Sequence, residues 1–117
     1  MQLINTRTQG VVASDVEVAD TRRARRRGLL GRTGLAPGAA LVLSPCNAVH
    51  TFGMQFAIDV VFVDRHYRVR KIVRDLPPWR MAAALWASMT IEMPAGVLGA
   101  DLVRVNDRLS LESVIPA

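Results

Sequence analysis

The sequence predicts a mainly β fold, an antiparallel β-sandwich or barrel-like domain with two short helices. Short stretches rich in Val, Ile and Leu recur at spacings of about ten residues, which is typical of such folds. Glycine, proline and asparagine turn signals separate these stretches. The helical stretches are too few and too brief for a doubly wound α/β fold. With 117 residues, 50% of them hydrophobic, the chain is expected to form a single domain spanning residues 1–117.

The first predicted elements are a β-hairpin and a surface helix. Residues 2–6 and 11–18 have strand patterns, with a turn at Gly10 between them. Asp20 or Thr21 can cap the helix that follows. This helix is so rich in arginine that it must lie on the surface. Its arginines are Arg22, Arg23, Arg25, Arg26 and Arg27.

The next segment is expected to be mostly irregular. Leu29 and Leu30 are predicted to enter the core, and Arg32 follows in a glycine-flanked turn that could aim its guanidinium inward. Residues 39–43 are predicted to form a short apolar strand, whereas residues 46–53 show no regular pattern.

The central element is predicted to be a strand over residues 57–63. These residues are apolar apart from Asp59, and their β-branched content favours a strand buried on both faces. A carboxylate in such a strand needs a cation or several backbone donors, because an unpaired buried charge costs several kcal/mol or shifts its pKa. We expect Arg25 or Arg32 to be the partner.

The remaining chain is predicted to alternate strands with turns. Strands are expected at residues 67–75, 89–93 and 108–112, and Pro94 begins a short turn or helix. The first of these strands carries arginines on one face, so that face is expected to be exposed. Residues 81–87 are ambiguous between a short helix and a strand.

Charge and cysteine content indicate the environment. Cys46 is the only cysteine, which excludes an intrachain disulfide, and no stretch reaches the roughly 18 apolar residues that would span a bilayer. The sequence therefore predicts a basic, soluble, cytoplasmic protein without membrane association. The formal net charge of +5 suits either an anion or nucleic-acid surface or a compositional bias towards arginine. The lack of aromatic residues between the arginines favours the second.

Three blocks of sequence carry a resemblance to a known family. Residues 18–32 include Gly-Leu-Leu-Gly-Arg, residues 50–64 begin with His-Thr-Phe-Gly-Met, and residues 91–96 read Ile-Glu-Met-Pro-Ala-Gly, with Asn-Asp-Arg at 106–108. Together these blocks resemble the domain of unknown function 192 family, the uncharacterised ancient conserved region proteins. The resemblance implies a small, mainly β domain with no established activity. Many members carry Trp-Met-x-Asn-Thr before the central strand, so a function tied to that tryptophan does not transfer to this chain.

Several polar side chains are expected to converge at one end of the sheet. A histidine with two carboxylates could act as acid and base. The chain lacks closely spaced ligands such as His-x-x-x-His or Cys-x-x-Cys, so neither a metal site nor a cofactor is predicted. Alternatively, the carboxylates pair with arginines and tie the helix to the sheet. The candidate pocket residues are His50, Thr51, Asp59, Glu92, Arg25 and Arg32.

Cys46 lies four residues before His50 and could in principle act as a nucleophile. No glycine-rich turn or helix start is present beside it to lower the pKa of its thiol. We therefore expect it to be a small buried hydrophobic residue.

The segment from residue 77 to residue 89 contains more large apolar side chains than a loop can hide. Tryptophan and methionine are enriched at interfaces. The segment is expected to form a ligand groove or the interface of a homo-oligomer, or else a lid packed over the open end of the sandwich. The residues concerned are Trp79, Met81, Trp86 and Met89.

The sequence thus favours a binding or interaction module over an enzyme. Such a module would use the polar pocket and the apolar segment at residues 77–89. The first alternative is an enzyme using His50 with Asp59 or Glu92 as acid and base. The second is nucleic-acid or anion binding through the arginine clusters.

Overall fold

The computed structural model describes residues 1–99 and 101–114, whose strands form three sheets. The predicted mainly β class is confirmed. Within the described residues there is one helix, α1 (Arg22–Arg27). The strands are β1 (Gln2–Asn5), β2 (Gly10–Ala13), β3 (Asp15–Ala19), β4 (Ala39–Leu43), β5 (Ala48–His50), β6 (Ile58–Val63), β7 (Val69–Leu76), β8 (Met81–Ala83), β9 (Met89–Pro94) and β10 (Leu109–Glu112).

A five-stranded sheet in the order β3-β4-β9-β6-β7 forms the centre of the molecule. Its pairs are antiparallel except β3 and β4, which run parallel because the chain crosses between them through α1. The three-stranded sheet β10-β1-β2 packs on one face. The other face carries α1, the segment that follows it, and the two-stranded ribbon of β5 and β8.

Each face of the central sheet therefore has its own hydrophobic core. The hairpin-side core joins residues of β1, β2 and β10 to Val61 and Val63 of β6. The helix-side core joins Leu29 and residues of β5 to Val60 and Phe62. All six residues of β6 are buried, so the expectation of a central strand buried on both faces is confirmed.

The helix α1 begins and ends as the sequence indicates. The Thr21 hydroxyl oxygen accepts a hydrogen bond from the Ala24 N–H at 3.1 Å, and the Gly28 N–H donates to the Ala24 carbonyl at 2.9 Å. Gly28 has a φ of 48°, which glycine adopts without a steric penalty. The helix buries none of its side chains, as its arginine content predicts. No helix in the described part of the chain is both long and apolar enough to cross a membrane.

Two predictions on the N-terminal side were wrong. The strand expected at residues 11–18 is interrupted at Ser14, where the N–H groups of Ser14 and Asp15 both donate to the Gly38 carbonyl, at 2.9 and 3.0 Å. A Cβ at Gly38 would lie 2.6 Å from the Ser14 hydroxyl, so this close approach requires glycine. Leu29 enters the core at 2% exposure, but Leu30 remains 36% exposed.

Three further segments differ from or refine the sequence-based expectation. The stretch 46–53, expected to be irregular, contains β5, and residues 81–83 of the ambiguous stretch form β8. Residues 95–99 form turns rather than the start of a second helix, and Ala100 lies outside the described residues.

Asp59 is fully buried and is satisfied by backbone groups alone. Its Oδ1 accepts from the Asp75 N–H at 2.9 Å, and its Oδ2 accepts from the Leu98 N–H at 3.1 Å. The register of β6 and β7 shifts between Ile58 and Val60, so two residues of β7 face Asp59 alone. The carboxylate therefore fills a β-bulge and connects it to the turn after β9.

The predicted ion pair between Asp59 and an arginine was wrong. Arg25 donates to the carbonyls of Asp20 and Ser44, at 2.9 and 3.1 Å. Arg32 instead forms an ion pair with Glu17 at 3.0 Å. Both arginines stabilise the helix-side layer, whereas Asp59 lies on the hairpin side.

Replacing Asp59 should destabilise the protein by removing acceptors from buried backbone donors. We expect Asp59→Ala to lower the free energy of unfolding by about 3 kcal/mol, since an unsatisfied buried donor costs about 1–3 kcal/mol. Asp59→Asn should lose less because it keeps one acceptor oxygen. Urea unfolding measures both, with Asp15→Ala, at an exposed position, as the control. A midpoint for Asp59→Ala equal to that of the parent would contradict this role.

Candidate functional site

A cavity of about 140 Å³ lies between α1, β5 and the helix-side face of the central sheet. Its walls combine aliphatic side chains with a few charged and polar ones. Its lining residues are Arg25, Arg26, Arg27, Gly28, Leu29, Leu30, Leu43, Cys46, Ala48, Val49, His50, Met54 and Glu92. The apolar part of this wall was missed by the sequence reasoning, since the folding of residues 29–54 around the sheet has no local sequence signal.

Glu92 is the buried acid of this cavity. It lies on β9 opposite Val60 of β6, and it is 5% exposed. Its carboxylate makes no hydrogen bond or ion pair within the described part of the chain, unlike that of Asp59. No fully buried side-chain oxygen in that part lacks a partner, so the Glu92 oxygens keep contact with solvent at the cavity. Burial raises the pKa of Glu92 to about 7, although the positive charge of Arg32 acts in the opposite direction.

Arginines of α1 supply the positive side of the cavity. Arg25 is held by the Asp20 and Ser44 carbonyls, which fixes one of its guanidinium nitrogens. Arg26 and Arg27 are exposed, and neither guanidinium is bonded to another described residue. These two side chains are therefore available for an anionic group at the cavity.

A row of exposed aromatic rings begins at the cavity wall. The rings of His50 and Phe52 stack with centroids 5.1 Å apart, and those of Phe52 and Trp79 stack at 6.1 Å. The His50 Nδ1 accepts from the Phe52 N–H at 3.3 Å, which orients the imidazole. Met81 lies opposite His50 in the β5–β8 ribbon and is also exposed.

The structure brings together three of the six predicted pocket residues, His50, Glu92 and Arg25. The other three lie elsewhere. Asp59 is on the hairpin-side face, and Arg32 is paired with Glu17 outside the cavity. Thr51 is fully buried, and its hydroxyl donates to the Pro77 carbonyl at 2.6 Å and accepts from the Arg80 N–H at 2.9 Å, so it holds the loop before β8.

Cys46 and His50 line the same cavity but do not contact each other as a nucleophile and its base would. The Cys46 thiol donates to the Ala48 carbonyl at 3.1 Å. The His50 Nδ1 is occupied by the Phe52 N–H. Among the residues that the structure describes, no three metal-binding side chains lie close enough to hold an ion.

The apolar segment at residues 77–89 is only partly a surface feature. Trp79, Met81 and Trp86 are exposed, Trp86 at 81%. Met89 was wrongly predicted to belong to this surface, because it is 8% exposed and packs in the hairpin-side core. Trp86 borders a shallow groove of about 530 Å³. The groove is lined by Arg70, Lys71, Ala83, Ala84, Leu85, Trp86, Val105 and Asn106.

Because of Glu92, the free energy of unfolding should decrease as pH rises, whereas a carboxyl with a lowered pKa would have the opposite effect. Its pKa is raised from 4.5 to about 7, so the folded state binds more protons than the unfolded state between these values. The free energy of unfolding should therefore fall as pH rises through this range, by about 3 kcal/mol. Glu92→Gln should abolish that fall and be more stable than the parent at about pH 8.

Urea unfolding at a series of pH values measures this effect. Glu112→Gln makes the same chemical change at an exposed position on β10, outside the cavity, and should follow the parent's pH dependence. Parallel curves for Glu92→Gln and the parent would contradict a carboxyl whose pKa is raised by burial.

Two solved structures share this fold. One is a protein from Sinorhizobium meliloti 1021 proposed to be a transcription regulator, with a TM-score of 0.79 and 20% identity over 93% of this chain and 89% of that chain. The other is a protein of unknown function from Novosphingobium aromaticivorans DSM 12444, also with a TM-score of 0.79 and 20% identity, over 95% of this chain and 84% of that chain. At this level of identity the similarity shows the fold alone.

Comparison with curated proteins gave no match. The family model of the domain of unknown function 192, described as an uncharacterised ancient conserved region (ACR), matches residues 3–111. The match covers nearly all of the chain and includes the three blocks identified in the sequence. The chain belongs to the domain of unknown function 192 family.

Proposed function

We propose that this protein is a binding module whose site is the cavity that contains Glu92. The observation that carries the proposal is the carboxylate of a residue only 5% exposed, which has no hydrogen-bond donor among the described residues and is open to the cavity. Buried carboxylates in folded proteins are normally paired or hydrogen-bonded, because desolvation of the charge is costly. A ligand that brings a donor into the cavity would satisfy this group.

The cost of keeping Glu92 supports a role outside folding. A glutamine or an apolar residue would fill the same position on β9 without a buried charge. A carboxyl whose pKa is shifted by burial is typical of binding and catalytic sites, and Glu92 has this property.

The size of the cavity limits the ligand. A volume of about 140 Å³ holds about four to five water molecules, at about 30 Å³ each. It therefore suits a small molecule, or one group of a larger one, rather than a folded partner. The row formed by His50, Phe52 and Trp79 extends the binding surface outside the cavity.

The groove beside Trp86 is larger, but none of the residues that line it is buried. It is shallow, and the Lys71 ammonium in its wall donates to the Ala83 carbonyl at 2.8 Å. Its wall combines the apolar Leu85 and Trp86 with the exposed Arg70 and Asn106, so its polar groups are already solvated. The Glu92 cavity is therefore the better-supported site.

A blocking substitution tests the location of the site. Ala48 lines the cavity from an exposed position on β5, so Ala48→Trp should fill the entrance without disturbing the core. We expect n-propylamine, propionate or L-alanine at millimolar concentration to shift the backbone amide resonances of residues 28–30, 46–50 and 92 in two-dimensional NMR spectra. Ala48→Trp should abolish these shifts.

The matched control is Leu85→Trp. Leu85 is exposed beyond the end of the ribbon and lines the groove beside Trp86 rather than the cavity. This variant should bind as the parent does. Absence of shifts with all three compounds, or shifts that persist in Ala48→Trp, would overturn the proposal.

A further inference from the structure

We infer that the Glu92 cavity binds a small zwitterion, a molecule with an ammonium and a carboxylate a few bonds apart, such as an aliphatic α-amino acid. This inference rests on the proposed function and specifies the ligand class. It follows from three features of the lining: the buried acid, the arginines of α1 and the apolar walls.

The buried acid provides the site for the ammonium. Glu92 is on the sheet side of the cavity and lacks a donor among the described residues. An ammonium group has three N–H donors and no acceptor, so it complements a carboxylate, which only accepts when ionised. Charge-assisted bonds of this kind are among the strongest that a neutral-pH site can form.

The arginines of α1 provide the site for the carboxylate. Arg26 and Arg27 line the cavity, are exposed, and are bonded to no other described residue. A guanidinium binds a carboxylate through two parallel N–H bonds, which fixes orientation as well as position. Neighbouring Arg25 adds positive charge while being held by backbone carbonyls.

Ligands with one charge fit the lining less well. A simple cation would meet Glu92 but would also face the positive charge of three arginines. A simple anion would meet the arginines but would lie near Glu92. Because the cavity is only about 140 Å³, neither could occupy it and remain distant from the like charge.

The apolar walls indicate the rest of the ligand. Leu29, Leu43, Val49 and Met54 are buried and line the cavity between its charged sides. Such walls accept an aliphatic group and give no hydrogen bonds to a polar one. The small volume restricts that group to a short side chain.

Dissociation constants for three compounds of similar size test the inference. L-alanine carries both charges, whereas propionate and n-propylamine each carry one. We expect L-alanine to bind at least about tenfold more tightly than either, as measured by NMR titration at neutral pH.

Matched variants assign each charge to its side chain. Glu92→Gln should weaken the binding of L-alanine and n-propylamine. The same variant should bind propionate as tightly as the parent does, or more tightly. The double variant Arg26→Gln with Arg27→Gln should weaken the binding of L-alanine and propionate but not that of n-propylamine. Arg23→Gln, on the same helix but outside the cavity lining, should leave all three unchanged.

The outcomes separate this inference from the proposed function. If propionate or n-propylamine binds in the cavity as tightly as L-alanine does, the inference of a zwitterionic ligand is wrong. The proposed location of the binding site would still be supported. If Glu92→Gln binds L-alanine as tightly as the parent does, the inference of a zwitterionic ligand is also overturned. If none of the three compounds binds in the cavity, both proposals fail.

Discussion

The five-stranded sheet is covered on both faces, and this constraint determines what its polar residues can do. No residue of β6 reaches solvent, so a polar side chain on β6 or on its neighbour β9 must find partners inside the protein. Asp59 finds two backbone N–H groups, and the buried Thr90 hydroxyl donates to the Cys46 carbonyl at 3.0 Å. Glu92 has no such partner among the described residues. Its oxygens instead face the cavity, and this is the reason that Glu92 rather than Asp59 belongs to the proposed site.

The two buried acids show how far sequence reasoning could go at the site. The sequence showed that both acids lie in apolar strands, but it did not show which face of the sheet each side chain occupies. Asp59 pairs with Met93 and Glu92 pairs with Val60, so the alternation of side chains places the two acids on opposite faces of the sheet. A shift of one residue in this register would have brought them together, as the sequence reasoning assumed. Register between distant strands is set by the whole fold, not by local sequence.

Elements that depend on local sequence could be predicted, whereas contacts between distant segments could not. The apolar strand at residues 39–43, the central strand and the helix cap depend on local pattern. Both strands were identified to within one residue, and Thr21 is one of the two caps that the sequence offered. The network around Asp107 could not be identified, because its members are distant in sequence. Asp107 accepts hydrogen bonds from Arg7, Asn5 and the Arg104 N–H, and the bond with Arg7 is the main reason that its pKa is lowered to about 2. This contact joins the two ends of the described chain and has no signature in either segment alone.

Half of the fourteen arginines are bonded to carboxylates or backbone carbonyls of the protein itself. Most of these guanidinium groups also remain exposed to solvent, so their bonds do not remove their charge from the surface. The arginines engaged with carboxylates or backbone carbonyls include Arg7, Arg25, Arg32, Arg68, Arg74, Arg80 and Arg104. Arg26 and Arg27 are bonded to no other described residue and line the cavity that contains Glu92. Their position beside this buried acid, rather than the net charge of the protein, is the reason for including them in the proposed site.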